Sequence, residues 1–170
     1  MNKAWLKALI WLLFLSAISA TGASAGLLQL TVIDDSLGVP VPARVLVRGP
    51  DGMCRVPQGA TILKIGRDMW FMSEGAYTVE LPPGRAELRV ERGKEYIRVK
   101  ENLDIPPAGT VEHLVRLKRW IHMQAAGYKS LENHLHVAPE AVAAMCAAED
   151  LCCQIEGPAL GLVFCGCLGE

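Results

Sequence analysis

The sequence predicts a mainly β protein, an antiparallel β-sandwich followed by a short strand-and-helix segment. Three observations lead there. Between Leu28 and Leu117 apolar and polar residues alternate with period two in a series of short runs, Gly- and Pro-containing turn signals separate those runs, and a helical pattern appears only after Trp120. Side chains alternate across a strand, so a period of two turns one face to a core. Short strands at such spacing are the sequence form of an antiparallel sandwich.

Ahead of the strands, residues 1–25 have the three-part layout of a secretory signal peptide: "MNKAWLK" with two lysines, the uncharged core "ALIWLLFLSAISA", and small residues ending at Ala23 and Ala25. Cleavage is expected after Ala25. The competing reading is a retained membrane anchor, but the apolar run falls short of the ~20 residues a spanning helix needs. No Cys follows the small residues, Cys54 being the first, so a lipid anchor is not indicated. The expectation is a secreted or periplasmic protein with no stable membrane span after cleavage.

The chain has 17 Lys+Arg against 18 Asp+Glu. Cleavage would remove Lys3 and Lys7 and no acid, leaving a weakly acidic chain with scattered basic residues. Such a surface has no electrostatic footprint for nucleic acid. Export leads to an oxidising compartment, yet Cys54 stands alone while Cys146, Cys152, Cys153, Cys165 and Cys167 crowd together at the end. Most of the fold is therefore expected to stand without disulfides.

The strand runs, in order, are "LLQLTVID", "ARVLVRG", "AYTVELP", "RAELRVERG", "EYIRVKEN" and "TVEHLVRLK". Turn signals separate them at Gly38-Val39-Pro40, Gly49-Pro50-Asp51-Gly52, Pro82-Pro83-Gly84 and Pro106-Pro107. At Pro82-Pro83-Gly84 proline sets φ and glycine can take positive φ, so "AYTVEL" and "RAELRV" are expected to pair as a hairpin. Residues 26–119 thus form the expected sandwich, of about seven strands. The stretch "GRDMWFMSEG", residues 66–75, reads as a loop or edge segment. Its Trp70, Phe71 and Met72 either dock a protein or carbohydrate ligand or simply close the core.

Residues 120–151 form the next unit. "PEAVAAMCAAEDL", from Pro139 to Leu151, has proline at its start, Glu140 in the first turn and alanines throughout, and so predicts a helix burying Val142, Met145 and Cys146. Residues 152–170, "CCQIEGPALGLVFCGCLGE", keep neither period and read as an unstructured Cys- and Gly-rich tail. Its cysteines lack the usual C-x₂₋₄-C zinc spacing, although such thiols can hold a soft metal. An out-of-frame origin just after Leu151 is the competing expectation.

Just ahead of the helix stand His134 and His136. On a strand, residues i and i+2 share a face, so both imidazoles can reach one metal ion, typically zinc, at ~2.0 to 2.1 Å. The segment "RWIHMQAAGYKSLENHLHVAPEAVAAMCAAEDL" resembles the opening of PHP-domain metal-dependent hydrolases of the CehA/McbA type. Gly127, Tyr128, Ser130, Asn133, His134, His136, Pro139 and the run Ala148, Glu149, Asp150, Leu151 carry that resemblance. Upstream, "IDDSLGVPVPARVLVRGPDG" and "GAYTVELPPGRAELRVERGKEY" are similar to the carboxypeptidase-regulatory-like, transthyretin-like sandwich that often precedes such a hydrolase.

The resemblance implies that His134 and His136 are the first ligand pair for a divalent metal, zinc or similar, in a site completed by later Asp, Glu and His residues. Here Leu131-Glu132 replaces the family's Gly-Asp, and no histidine follows His136. Catalytic zinc normally has three protein ligands and an open position. The chain is therefore expected to be the truncated front of an exported hydrolase, itself inactive. The alternative is a stand-alone β-sandwich binding module. An active enzyme completed by a separate partner chain is a third reading.

Overall fold

The computed structural model describes residues 24–132 and 137–152; residues 1–23, 133–136 and 153–170 lie outside it. The signal segment, the pair His134 and His136, and most of the expected tail fall in those outside ranges.

The described part is mainly β. Its strands are β1 (Gly26–Asp34), β2 (Ala43–Arg48), β3 (Cys54–Arg55), β4 (Ile62–Ile65), β5 (Asp68–Ser73), β6 (Ala76–Leu81), β7 (Gly84–Glu91), β8 (Val99–Ile105) and β9 (Thr110–Leu117). One sheet has the order β6-β1-β9; the other has the order β4-β5-β2-β7-β8, with β3 paired to β2. Leu28, Leu30 and Val32 of β1 share one core with Val45 and Val47 of β2, Phe71 of β5 and Leu88 and Val90 of β7. The two sheets therefore face each other across a common apolar layer. Each fully buried Leu, Val or Phe there contributes about 1.5 to 3 kcal/mol.

Three sequence expectations are corrected. First, nine strands form among the described residues rather than about seven, because the 62–73 stretch is itself a hairpin, β4 and β5, turning at Gly66 with φ +61. Second, β6 and β7 do not pair. β6 joins β1 while β7 joins β2 and β8, so Pro82-Pro83-Gly84 carries the chain from one sheet to the other. Two successive prolines supply no backbone N–H, and the ladder stops where they stand. Third, the sheets are antiparallel except at one place: β9 pairs with β1 in parallel. β9 follows β8 from the opposite sheet, passing Pro106, Pro107 and Ala108, the last at φ 64, and so enters beside β1 in the same direction.

The helix, α1, spans Pro139–Ala148, with proline in its first turn and Glu140 beside it. It stops short of the expected Leu151 because Asp150 turns left-handed at φ 55. The Leu151 N–H reaches the Cys146 carbonyl at 2.9 Å and the Asp150 N–H reaches the Ala147 carbonyl at 3.3 Å, the paired bonds of a Schellman stop. Val142, Cys146 and Ala148 are buried and Met145 is half-buried. α1 packs on β5 and β2 and forms a partial third layer outside the larger sheet. Among the described residues no helix is long and apolar enough to cross a membrane.

Candidate functional site

The metal pair, His134 and His136, lies outside the described residues, and its surroundings bear on it only through their donors. Among the described residues no group of three or more His, Cys, Asp or Glu could hold a metal ion. The nearest carboxylate in sequence beyond the pair, Glu140, is exposed in the first turn of α1. Glu149 and Asp150, the acids of the Ala-Glu-Asp-Leu run, are engaged by arginines of the sandwich. His113 pairs with Glu101 at 2.6 Å on the strands, and His122 is exposed in the connector.

The arrangement that does gather charged groups sits where α1 ends. Residues of β2 alternate, so Ala43, Val45 and Val47 enter the core while Arg44 stands on the outer face of the larger sheet. Arg44 lies 5.0 Å from the centre of the Trp70 ring, 2.5 Å from Glu91 and 2.8 Å from Glu149. Beyond β7, Arg92 donates to the carbonyls of Pro42 at 2.5 Å and Ala147 at 2.6 Å. It also meets Asp150 at 2.5 Å, and only 10% of its side chain is exposed. Arg119, beyond β9, binds Asp150 at 2.9 Å and Glu95 at 2.7 Å. Three arginines from three parts of the sandwich thus hold the end of one helix.

Behind them lies Asp34, the last residue of β1, with 1% exposure. Its carboxylate accepts the Ser36 N–H at 2.8 Å, the Ser36 hydroxyl at 2.5 Å, the Leu37 N–H at 3.1 Å and the Tyr96 hydroxyl at 2.7 Å. Burial alone would raise the Asp34 pKa, but those hydrogen bonds outweigh it and hold the carboxyl well below its ordinary value. Tyr96 is pushed up to about 12 by burial and by its bond to Asp34, against the opposing influence of Arg92 and Arg119. Its ring lies 4.2 Å from the Arg119 guanidinium and 5.4 Å from that of Arg92. Burial would lower Arg119, yet Asp150 and Glu95 keep it above its usual value and charged.

None of Arg44, Arg92, Arg119, Asp34 and Tyr96 stands out in the sequence. A local signal existed only for Asp34, where Ser36 two residues on marks an Asx turn. Of the two readings of the aromatic stretch, docking a ligand or closing the core, burial favours the second: Trp70, Phe71 and Met72 are 6%, 0% and 7% exposed. Phe71 belongs to the core, whereas Trp70 and Met72 point to the outer face that Arg44 and α1 occupy. Cys146 and Cys152 are both disulfide-bonded, so Cys152 of the tail offers no thiolate to a soft metal, and Cys54 is free; the other tail cysteines lie outside the described residues.

No family model matches the chain, and no curated protein matches it. Among solved structures, the Bacillus anthracis TIE protein is similar over 56% of this chain and 18% of its own, at 18% identity and TM-score 0.42. Phospholipase PlaB from Legionella pneumophila is similar over 68% of this chain and 28% of its own, at 13% identity and TM-score 0.37. The chain spans less than a third of either, and likenesses this low carry no argument about function.

Proposed function

We propose that the chain is the accessory β-sandwich and opening segment of an exported PHP-type metal-dependent hydrolase, and that in this form it serves as a non-catalytic module. The sandwich would be of the carboxypeptidase-regulatory-like, transthyretin-like kind. What supports the reading is the engagement of Glu149 and Asp150 by Arg44, Arg92 and Arg119. The Ala-Glu-Asp-Leu run that carries the resemblance ends the helix and anchors it to the sandwich, so the two parts behave as one folded unit. Its acids are occupied in holding the segment rather than offered to a metal.

In a complete hydrolase of that type, a divalent metal such as zinc supplies an acidified water for hydrolysis. In this chain the resemblance assigns the start of such a site to His134 and His136. An open two-imidazole site without oriented outer partners holds metal weakly. The test is calorimetric titration of the signal-free chain with zinc, beside the variant carrying His134→Ala and His136→Ala. The expected result is weak, non-stoichiometric heat in both. Tight one-to-one binding lost in the double variant would overturn the non-catalytic reading.

A further inference from the structure

A cleft of about 410 Å³ opens at the junction of β2, the β7–β8 connection, the connector after β9 and the end of α1. Its size falls within the ~300 to 1,000 Å³ of small-ligand sites. Arg44, Glu91, Lys94, Arg98, Trp120 and Glu149 line it. We infer that this cleft binds an anionic, hydroxyl-rich small molecule of the class of a carboxylated sugar.

Trp120 carries the first part of the argument. Its side chain is 64% exposed, yet its backbone N–H donates to the Glu95 carbonyl at 3.0 Å and its indole N–H donates to the Lys94 carbonyl at 2.8 Å. The ring's one polar atom is therefore satisfied by the protein itself, and what it offers the cleft is a fixed apolar face. An aromatic surface immobilised before binding loses little entropy when a ligand arrives. The C–H face of a pyranose ring matches such a platform.

The charges decide the rest. Lys94 is exposed and has no ion-pair partner among the described residues, and Arg98 is 78% exposed with only a 3.9 Å approach to Glu91. Two cations are thus available to an anionic group. Arg44 is already committed to Glu91 and Glu149. It fixes those carboxylates in place while each keeps acceptor capacity for hydroxyl donors. A wholly apolar ligand would desolvate these groups without replacing their bonds. A phosphate would concentrate two charges on one group beside the two carboxylates, whereas a sugar acid carries a single charge on each ring and meets less repulsion at any one point. Because Trp120 and Glu149 come from the segment after the sandwich, a bound ligand also favours the docked helix. The inference goes beyond the proposed function and does not use the metal pair.

The experiment is calorimetric titration of the signal-free chain with digalacturonate, with the neutral disaccharide galactobiose, and with acetate. Expected is saturable binding of digalacturonate, weakened by salt as for an exposed ionic contact, with galactobiose and acetate at least about tenfold weaker. Lys94→Ala with Arg98→Ala should erase the preference for the acid sugar. Trp120→Ala should abolish binding of either sugar, and Trp120→Phe, which keeps an apolar ring, should retain part of it. Thermal melts of each variant separate lost binding from lost folding. No saturable heat from digalacturonate, equal affinity for galactobiose, or equal affinity for acetate would each overturn the inference, whatever the zinc titration gives.

Discussion

Gly93 lies directly against the carbonyl oxygen of Glu149: a Cβ at residue 93 would stand 2.3 Å from it, and the backbone there has φ +50. The end of α1 can seat on the sandwich only because residue 93 has no side chain. Gly93→Ala should therefore displace the helix end while leaving the strands paired. The loss of stability should exceed about 1 kcal/mol, since both the contact and the positive φ are unfavourable for alanine. Hydrogen exchange should accelerate in residues 139–148 and remain slow in β1, β2 and β7. Unchanged protection of the helix would show that the contact does not govern docking.

Stability should fall at both ends of the pH scale, through two groups that bond each other. The depressed Asp34 pKa means that its contribution is complete above the unfolded value of about 4 and is lost as pH falls below that. The raised Tyr96 pKa acts in the other direction. Its contribution is complete below about pH 10 and is lost as pH rises towards about 12. Urea midpoints measured across pH should show both limbs in the native chain. Asp34→Asn should shrink the acid limb and Tyr96→Phe the alkaline one, each at a lower plateau between them. The buried Tyr77 hydroxyl, its pKa raised by burial, also contributes to the alkaline limb.

Reduction should separate the layers. Cys146 and Cys152 are disulfide-bonded and buried, at 1% and 3% exposure, whereas the sandwich holds only the free Cys54. A phosphine reductant is expected to speed amide exchange in α1 and to leave the core strands protected. The strands should also keep a cooperative melt in EDTA, because Leu28, Val45, Phe71 and Leu88 supply the core without metal. Collapse of strand protection on reduction would contradict this.

The strands with one wet face were legible because alternation marks them; β1, β2, β6, β7 and β9 stand where period two placed them. β5 was not, since Trp70, Phe71 and Met72 are buried on both faces and an unbroken apolar run carries no period. The change of sheet at Pro82-Pro83-Gly84 was illegible for a related reason: local turn chemistry says that a ladder ends, not which sheet the next strand joins. The helix was read correctly as to type, but its stop depends on Asp150, whose partner Arg92 is 58 residues away in sequence. Contacts at that separation leave no local pattern. His134 and His136 were conspicuous in the sequence and lie outside the described residues.

The most direct test of the anchoring role given to the Ala-Glu-Asp-Leu acids is a double-mutant cycle on Arg119 and Asp150, which meet at 2.9 Å with side chains 16% and 18% exposed. Arg119→Met, Asp150→Asn and the double variant would be compared with the native chain by urea denaturation. Asparagine tolerates the left-handed backbone of residue 150, so the change removes charge without adding strain. Asp150→Asn alone should destabilise by about 2 kcal/mol, the scale of a lost charge-assisted hydrogen bond. The expected coupling between the two sites is about 1 to 3 kcal/mol. Additivity within about 0.5 kcal/mol would contradict the anchor.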